Sequence, residues 1–447
     1  MKWIKYILLG TLVSFFYFPI TFTFLPGLIT KNAIAAFGLV CVLFVLVRKR
    51  EFVIPKELFI LLILSGIVSI IALFSITYNQ TPDITYVTYF RSACIWLSGA
   101  FAVCCAIWAV HRKISVPLIT NYLAGVCVFQ CFAALAIRFI PAFGMLVDST
   151  VAQGQFLLKE MGRMYGIGAS LDVGGSRFSA ALIAIAVAIE NDNRVSSRVL
   201  YALSFSIITV IGNIIARTTI VGVALGLGYI GVTEIRHYFN VARSISGTDK
   251  KKSSFGVWFG VLVFLIPIGY VIYQRSLEFQ EMMQFGFEGF FSLAETGEWN
   301  VTSNTALKSM IVWPEELRTW IIGDGYFANQ IYDANYIGDA TTSGYYMGTD
   351  IGYLRFIFYF GIIGLVAISS VMIYACHIGI QGFKEYRTLI LLALMAGFII
   401  WLKVSTDLFP FYSLLASGAF LKQELELMSP AEEEEEEDAQ TELSPSD

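Results

Sequence analysis

The stretch FGVWFGVLVFLIPIGYVIY, residues Phe255–Tyr273, contains no charged side chain. As a helix rising 1.5 Å per residue it covers about 28 Å, close to the about 30 Å hydrocarbon core of a bilayer. Its apolar residues show no alternation, which a barrel strand would require. In lipid an unpaired backbone amide costs several kcal/mol, so an open segment of this composition must be a helix. Working outwards, apolar stretches of the same kind lie at about 6–25, 33–47, 58–78, 92–110, 117–139, 177–189, 199–215, 218–235, 351–374, 388–402 and 409–421. The expected fold is therefore an all-α polytopic membrane protein with about twelve spans.

Composition agrees. Of the 447 residues, 57% are hydrophobic and only 14% are charged, against about 25% charged in soluble domains. This excludes an ordinary cytoplasmic enzyme, a disordered chain and a nucleic-acid binder. The net charge of −4 is set by Glu432–Asp438; without those seven acids the chain carries +3. The residues after 421 read as an acidic, solvated and disordered tail. The first apolar stretch follows Lys2 and Lys5 but is too long for a signal peptide and lacks a small-residue cleavage site, so it reads as a span.

Basic residues set orientation. With the N-terminus inside, 18 of the 30 Lys and Arg fall on the cytoplasmic side. The outer 12 comprise four lysines and eight arginines, an arginine excess that topology does not explain. Both termini are expected in the cytoplasm. The seven cysteines lie in or beside apolar stretches and imply no disulfide framework. Cys127 and Cys131, one turn apart, read as packing residues. The three histidines, His111, His237 and His377, fall at inner ends. The outer face thus has no histidine or cysteine for a zinc site or an imidazole base.

The organisation expected is a bundle over 1–273 with a medium outer loop at 140–176, a large outer loop at 274–350, three further spans over 351–421, and the tail. The large loop is rich in Trp and Tyr, unlike disordered segments. Ser303-Asn304-Thr305 can cap a helix over Ala306–Val312. Pro314 can open a second helix that stops at Gly323. With 11 acids and 3 bases this loop carries −8. Its carboxylates and aromatic rings suit a sugar chain better than a polyanion.

Arginines at the membrane edge mark a site. Arg177 opens one span, Arg217 sits in a turn between two apolar stretches, and Arg355 lies one turn into another. A charge within hydrocarbon is expensive and usually functional. Arginine's planar fork grips anions where lysine's point charge does not.

At this point the chain resembles the O-antigen polymerase and O-antigen ligase superfamily of GT-C type membrane glycosyltransferases. The resemblance rests on the loop order and on three patches. These are Ala216-Arg217-Thr218, the segment Trp320–Phe327 with its Gly323-Asp324-Gly325, and Asp350-Ile351-Gly352-Tyr353-Leu354 followed by Phe360-Gly361. Arg163 before Gly174 and Arg275 before Gly286 match an Arg-x10-Gly spacing described for the polymerases. Ligases of the superfamily carry His-Asn where this chain has Thr349-Asp350, which favours a polymerase.

The resemblance implies a bacterial inner-membrane enzyme of O-antigen, capsule or other polysaccharide biosynthesis, working on the periplasmic side. The glycan would pass from undecaprenyl or another polyprenyl pyrophosphate to a hydroxyl of a second lipid-linked repeat unit. Arg217 would hold the pyrophosphate, helped by Arg163, Arg177, Arg275, Arg318 or Arg355, with Asp324 and Tyr353 contacting substrate. Asp350 would orient or deprotonate the acceptor, with Asp324 or Asp339 next in line. No metal or cofactor is required, membrane lipid surrounds the site, and a chain-length regulator is a further partner. The competing expectations are a ligase acting on lipid A core, a lipid-linked oligosaccharide flippase, and a structural component of an export complex.

Overall fold

The computed structural model describes residues 2–49, 55–243, 255–329, 336 and 344–442. Asp339 lies outside the described residues. Helices dominate. α1 (Lys2–Tyr17) leads through β1 (Thr21–Phe22) to α2 (Thr30–Lys49), α3 (Lys56–Asn79), α4 (Tyr89–His111) and α5 (Val116–Phe139). A lateral excursion follows: α6 (Pro141–Thr150), β2 (Val151–Ala152) and α7 (Gln155–Glu160). Then come α8 (Leu171–Asn191), α9 (Val195–Ile215), α10 (Thr219–Arg243) and α11 (Phe255–Arg275). The large loop holds α12 (Leu277–Gly286), α13 (Glu288–Thr296), α14 (Thr302–Ser309) and α15 (Leu317–Ile322). The chain ends with α16 (Gly352–Gly382), α17 (Arg387–Ile400) and α18 (Phe409–Glu442).

Eight of these helices, α3, α4, α5, α8, α9, α10, α11 and α16, are long and apolar enough to cross a membrane. α1 and α2 carry shorter apolar runs. α8, whose residues Ala180 to Ile189 are almost wholly covered, lies at the centre between α9, α10 and α17. α2 packs on α4, and α18 on α4 and α16. α11 is the outlier: most of its side chains are exposed, the state of an apolar helix whose natural solvent is lipid.

Several boundaries depart from expectation for identifiable reasons. α1 stops at Tyr17 instead of continuing to 25, because Pro19 cannot donate and biases Phe18 away from helix. The following residues pair instead: Thr21 and Phe22 lie antiparallel to Ala152 and Val151. α14 begins about one turn before the expected Ala306, since the Glu288 carboxylate accepts the Thr302 amide at 3.1 Å and so caps its start. α15 begins at Leu317 rather than Pro314, whose carbonyl is taken by the Trp320 indole N–H at 2.9 Å. The stop at Gly323 holds, with φ +76°. The tail expected to be disordered continues α18 to Glu442; alanine and glutamate are strong helix formers.

α16 is broken. Phe360 (φ −144°, ψ 22°) and Gly361 (φ 69°, ψ −173°) leave helical geometry, and a β-carbon at Gly361 would lie 2.0 Å from the Ile321 carbonyl oxygen. Only glycine permits both that φ and that approach. The large loop seats itself in the break.

Candidate functional site

The loop is held at the break by backbone groups. The carbonyls of Phe358 and Tyr359 accept the amides of Asp324 (2.6 Å) and Gly325 (3.1 Å). The Ser75 hydroxyl also donates to Tyr359 O at 2.7 Å. Asn79 and Thr81 donate to the Gly323 and Gly325 carbonyls at 3.0 and 2.9 Å. Asp83, 5% exposed, completes the clasp: its carboxylate accepts the amides of Phe327 at 2.8 Å, Ala328 at 3.3 Å and Thr85 at 3.0 Å.

Two expected substrate contacts are spent on this clasp. Asp324 accepts from Arg318 at 3.1 Å, Thr319 at 2.6 Å and Tyr346 at 3.2 Å. Burial nonetheless pushes its carboxyl above the ordinary range. Arg318 is divided between Asp324, Glu316 and the Asn79 side chain. Tyr353 turns towards α17, donating to Phe398 O at 2.9 Å and meeting Trp401 edge-on. Arg275 is exposed at the end of α11 without an ion-pair partner among the described residues. Among the described residues, none of these four contacts Arg163, Arg177, Arg217 or Arg355.

Beside the clasp, Arg355 stacks on Phe327 at 3.7 Å and on Tyr345 at 4.5 Å. It donates to Phe327 O at 3.2 Å, Ser405 Oγ at 2.9 Å and Asp350 at 3.5 Å. Its Nε is buried without an acceptor. Burial pushes the Asp350 carboxyl up to about 6, with Asp172 adding to the rise and Arg355 and Lys403 opposing it. A carboxyl poised there can take a proton near neutral pH.

Asp172 links this part to the next, because its charge reaches Asp350, Tyr345 and Arg163. Arg163 and Arg217 both stack on the Phe285 ring, each at 4.2 Å. Arg217 is anchored: it pairs with Glu288 at 2.7 Å and donates to Phe285 O at 3.0 Å and Ser303 Oγ at 3.1 Å. Burial alone would raise the Glu288 carboxyl, but hydrogen bonds from Thr302 and the Arg217 charge outweigh it and hold it below the usual range. Arg163 has no carboxylate partner among the described residues, and burial followed by the Arg217 charge depresses its guanidinium.

On the other flank lies Arg177, 8% exposed. Its guanidinium stacks between Phe18 at 5.6 Å and Trp96 at 5.8 Å. Lys31 approaches the same indole at 4.9 Å. Among the described residues Arg177 makes no ion pair and no side-chain hydrogen bond; the Tyr17 hydroxyl meets only its backbone carbonyl. The nearest acidic influence is Asp407, whose carboxyl is raised by burial, donated to by the Phe409 amide at 3.1 Å, and opposed by Arg177 and Lys31. Tyr86 bridges the flanks, feeling both Asp407 and Arg355.

The structure thus places Arg163, Arg217, Asp350, Arg355 and, at the far end, Arg177 along one band where the loops gather. Lys31, Asp83 and Asp407 are additions that sequence reasoning missed. Lys31 was visible only as one of four outer lysines. Asp83 and Asp407 lie in short connections whose partners are distant in the chain.

Fold and composition define a multi-pass, all-α membrane protein. No protein-family model matches the chain, and neither does any curated protein or solved structure.

Proposed function

We propose that this protein is a metal-independent membrane glycosyltransferase that polymerises lipid-linked oligosaccharide repeat units. In this reading twelve segments span a bacterial inner membrane, both termini are cytoplasmic, and the arginine band faces the periplasm. The observation that carries it is Arg177, more than nine-tenths buried and without an ion-pair or side-chain hydrogen-bond partner among the described residues. An uncompensated buried cation costs several kcal/mol, and a fold that keeps one between two aromatic rings is prepared for an anion. The pyrophosphate of a polyprenyl carrier, arriving at the membrane edge, supplies it.

The acceptor hydroxyl attacks the anomeric carbon, and the bond from that carbon to the pyrophosphate oxygen breaks. Asp350 takes the hydroxyl proton. The departing diphosphate carries the electron pair, and its charge is met by Arg177 and Arg163, which have no carboxylate partner among the described residues. Arg355 and Arg217, already engaged by Asp350 and Glu288, hold the rim of the site and the loop that covers it.

Two measurements test this. Membranes from cells expressing Arg163→Ala or Asp350→Asn should show collapsed polymer-length ladders at normal protein levels, with rates reduced about 10²–10³-fold for the arginine. Normal ladders from both variants would end the proposal. The second is pH dependence. Because the Asp350 carboxyl is raised, it is protonated and idle below pH about 6. The rate of the intact protein should therefore fall about tenfold per pH unit below that value. The small residual rate of Asp350→Asn should lack this limb.

A further inference from the structure

At the end of the bundle opposite the arginines, α2, α3, α4, α16 and α18 enclose a cavity of about 850 Å³. Its wall on α18 runs from Ala416 to Glu426. At 1.5 Å per residue that is about 15 Å, or half of a hydrocarbon core. α2 and α4 meet closely beside the cavity: a β-carbon on Gly38 would lie 1.8 Å from the carbonyl oxygen of Ser98, a lining residue. Much of the wall, including Leu39, Val42, Leu62, Leu97 and Phe101, is apolar.

The mouth is different. Glu57, Glu385, Glu426, Lys384 and Lys422 ring it. Lys422 is already turned to Glu426 at 3.8 Å and to the Gly382 carbonyl at 3.3 Å. Lys384, Glu57 and Glu385 line the same opening, and among the described residues none of the three makes an ion pair.

An apolar slot about one leaflet deep, with charges of both signs at one end, is complementary to one amphiphile. An acyl chain filling it restores the dispersion contacts that its apolar walls would otherwise lack. The excess of acids at the rim disfavours a head group that is purely anionic. We propose that this slot binds a single membrane phospholipid with an amine-bearing head group. Its tail occupies the cavity, its phosphate lies at Lys384, and its ammonium lies at Glu57 and Glu385. This holds whatever reaction the opposite end performs.

The test is native mass spectrometry of the full chain, reconstituted in vesicles with equal phosphatidylethanolamine and phosphatidylglycerol and then released into detergent. The expected result is one phosphatidylethanolamine per chain, with phosphatidylglycerol retained about tenfold less, a difference of about 1.4 kcal/mol. Glu57→Gln/Glu385→Gln should lose that preference with an unchanged melting profile. Val42→Trp, which fills the slot, should lose the bound lipid altogether. Equal retention of the two lipids by the intact protein, or unchanged retention by the double glutamine variant, overturns the proposal. The second criterion stands even if Val42→Trp fails to fold.

Discussion

Arg177→Met should lower the polymerisation rate by about 10²–10³-fold while leaving the protein more resistant to heat. The two halves of that expectation come from the same fact. Arg177 is 8% exposed and stacks on Phe18 and Trp96 without a carboxylate or hydrogen-bond acceptor among the described residues. A charge so placed costs several kcal/mol in the free protein, and methionine fills similar space without it. The same charge is worth most when an anion develops beside it in a water-poor site, where losing one preorganised donor costs about 10²–10³ in rate. Arg177→Lys should recover little, since the ammonium lacks the planar fork. The measurements are repeat-unit transfer by purified variants and thermal midpoints in the same detergent. Inorganic pyrophosphate should raise the midpoint of the intact protein, by the linkage between ligand and native state, and leave that of Arg177→Met unmoved. Full transfer activity in Arg177→Met, or a loss of activity that follows only from a loss of folded protein, would remove Arg177 from the site.

The helices were legible because apolar composition alone dictates them; α3, α4, α5, α9 and α11 lie where uninterrupted runs such as Phe255–Tyr273 place them. Local rules failed where a distant partner intervened. Ser303-Asn304-Thr305 is a sound cap by itself, yet Glu288 reaches the Thr302 amide and starts α14 earlier. Asp324 and Arg318 have the chemistry of substrate ligands, and only the fold shows them facing each other and Thr319. Arg177 could be picked out as a cation in hydrocarbon, but not that it would lack an ion pair among the described residues while Arg217 met Glu288. Lys31 and Asp407 belong to different ends of the chain, and no periodicity connects them to Arg177.

Asp83→Ala should loosen the loop that carries Phe327 and, through it, weaken substrate binding at Arg355. Asp83 is 5% exposed, and its carboxylate accepts the amides of Phe327, Ala328 and Thr85. Each buried donor left without an acceptor costs about 1–3 kcal/mol. A net loss of about 3 kcal/mol, with part of the clasp rehydrating, corresponds to opening this segment roughly 10²-fold more often. Phe327 in turn holds Arg355 by its ring at 3.7 Å and by its carbonyl at 3.2 Å. Asp83 therefore acts as a positioning residue, and its loss should raise KM for the lipid-linked substrate more than it lowers kcat. Asp83→Asn keeps the shape and one carbonyl acceptor and should recover much of the effect. Limited proteolysis reads the opening directly: cleavage at 326–329 should accelerate in Asp83→Ala and return towards normal in Asp83→Asn. Because the Tyr359 hydroxyl donates to the Asp83 backbone carbonyl at 2.7 Å, that contact survives either substitution. An Asp83→Ala variant as protease-resistant as the intact protein, with unchanged KM, would mean that the loop is held by the Gly323–Gly325 backbone contacts alone.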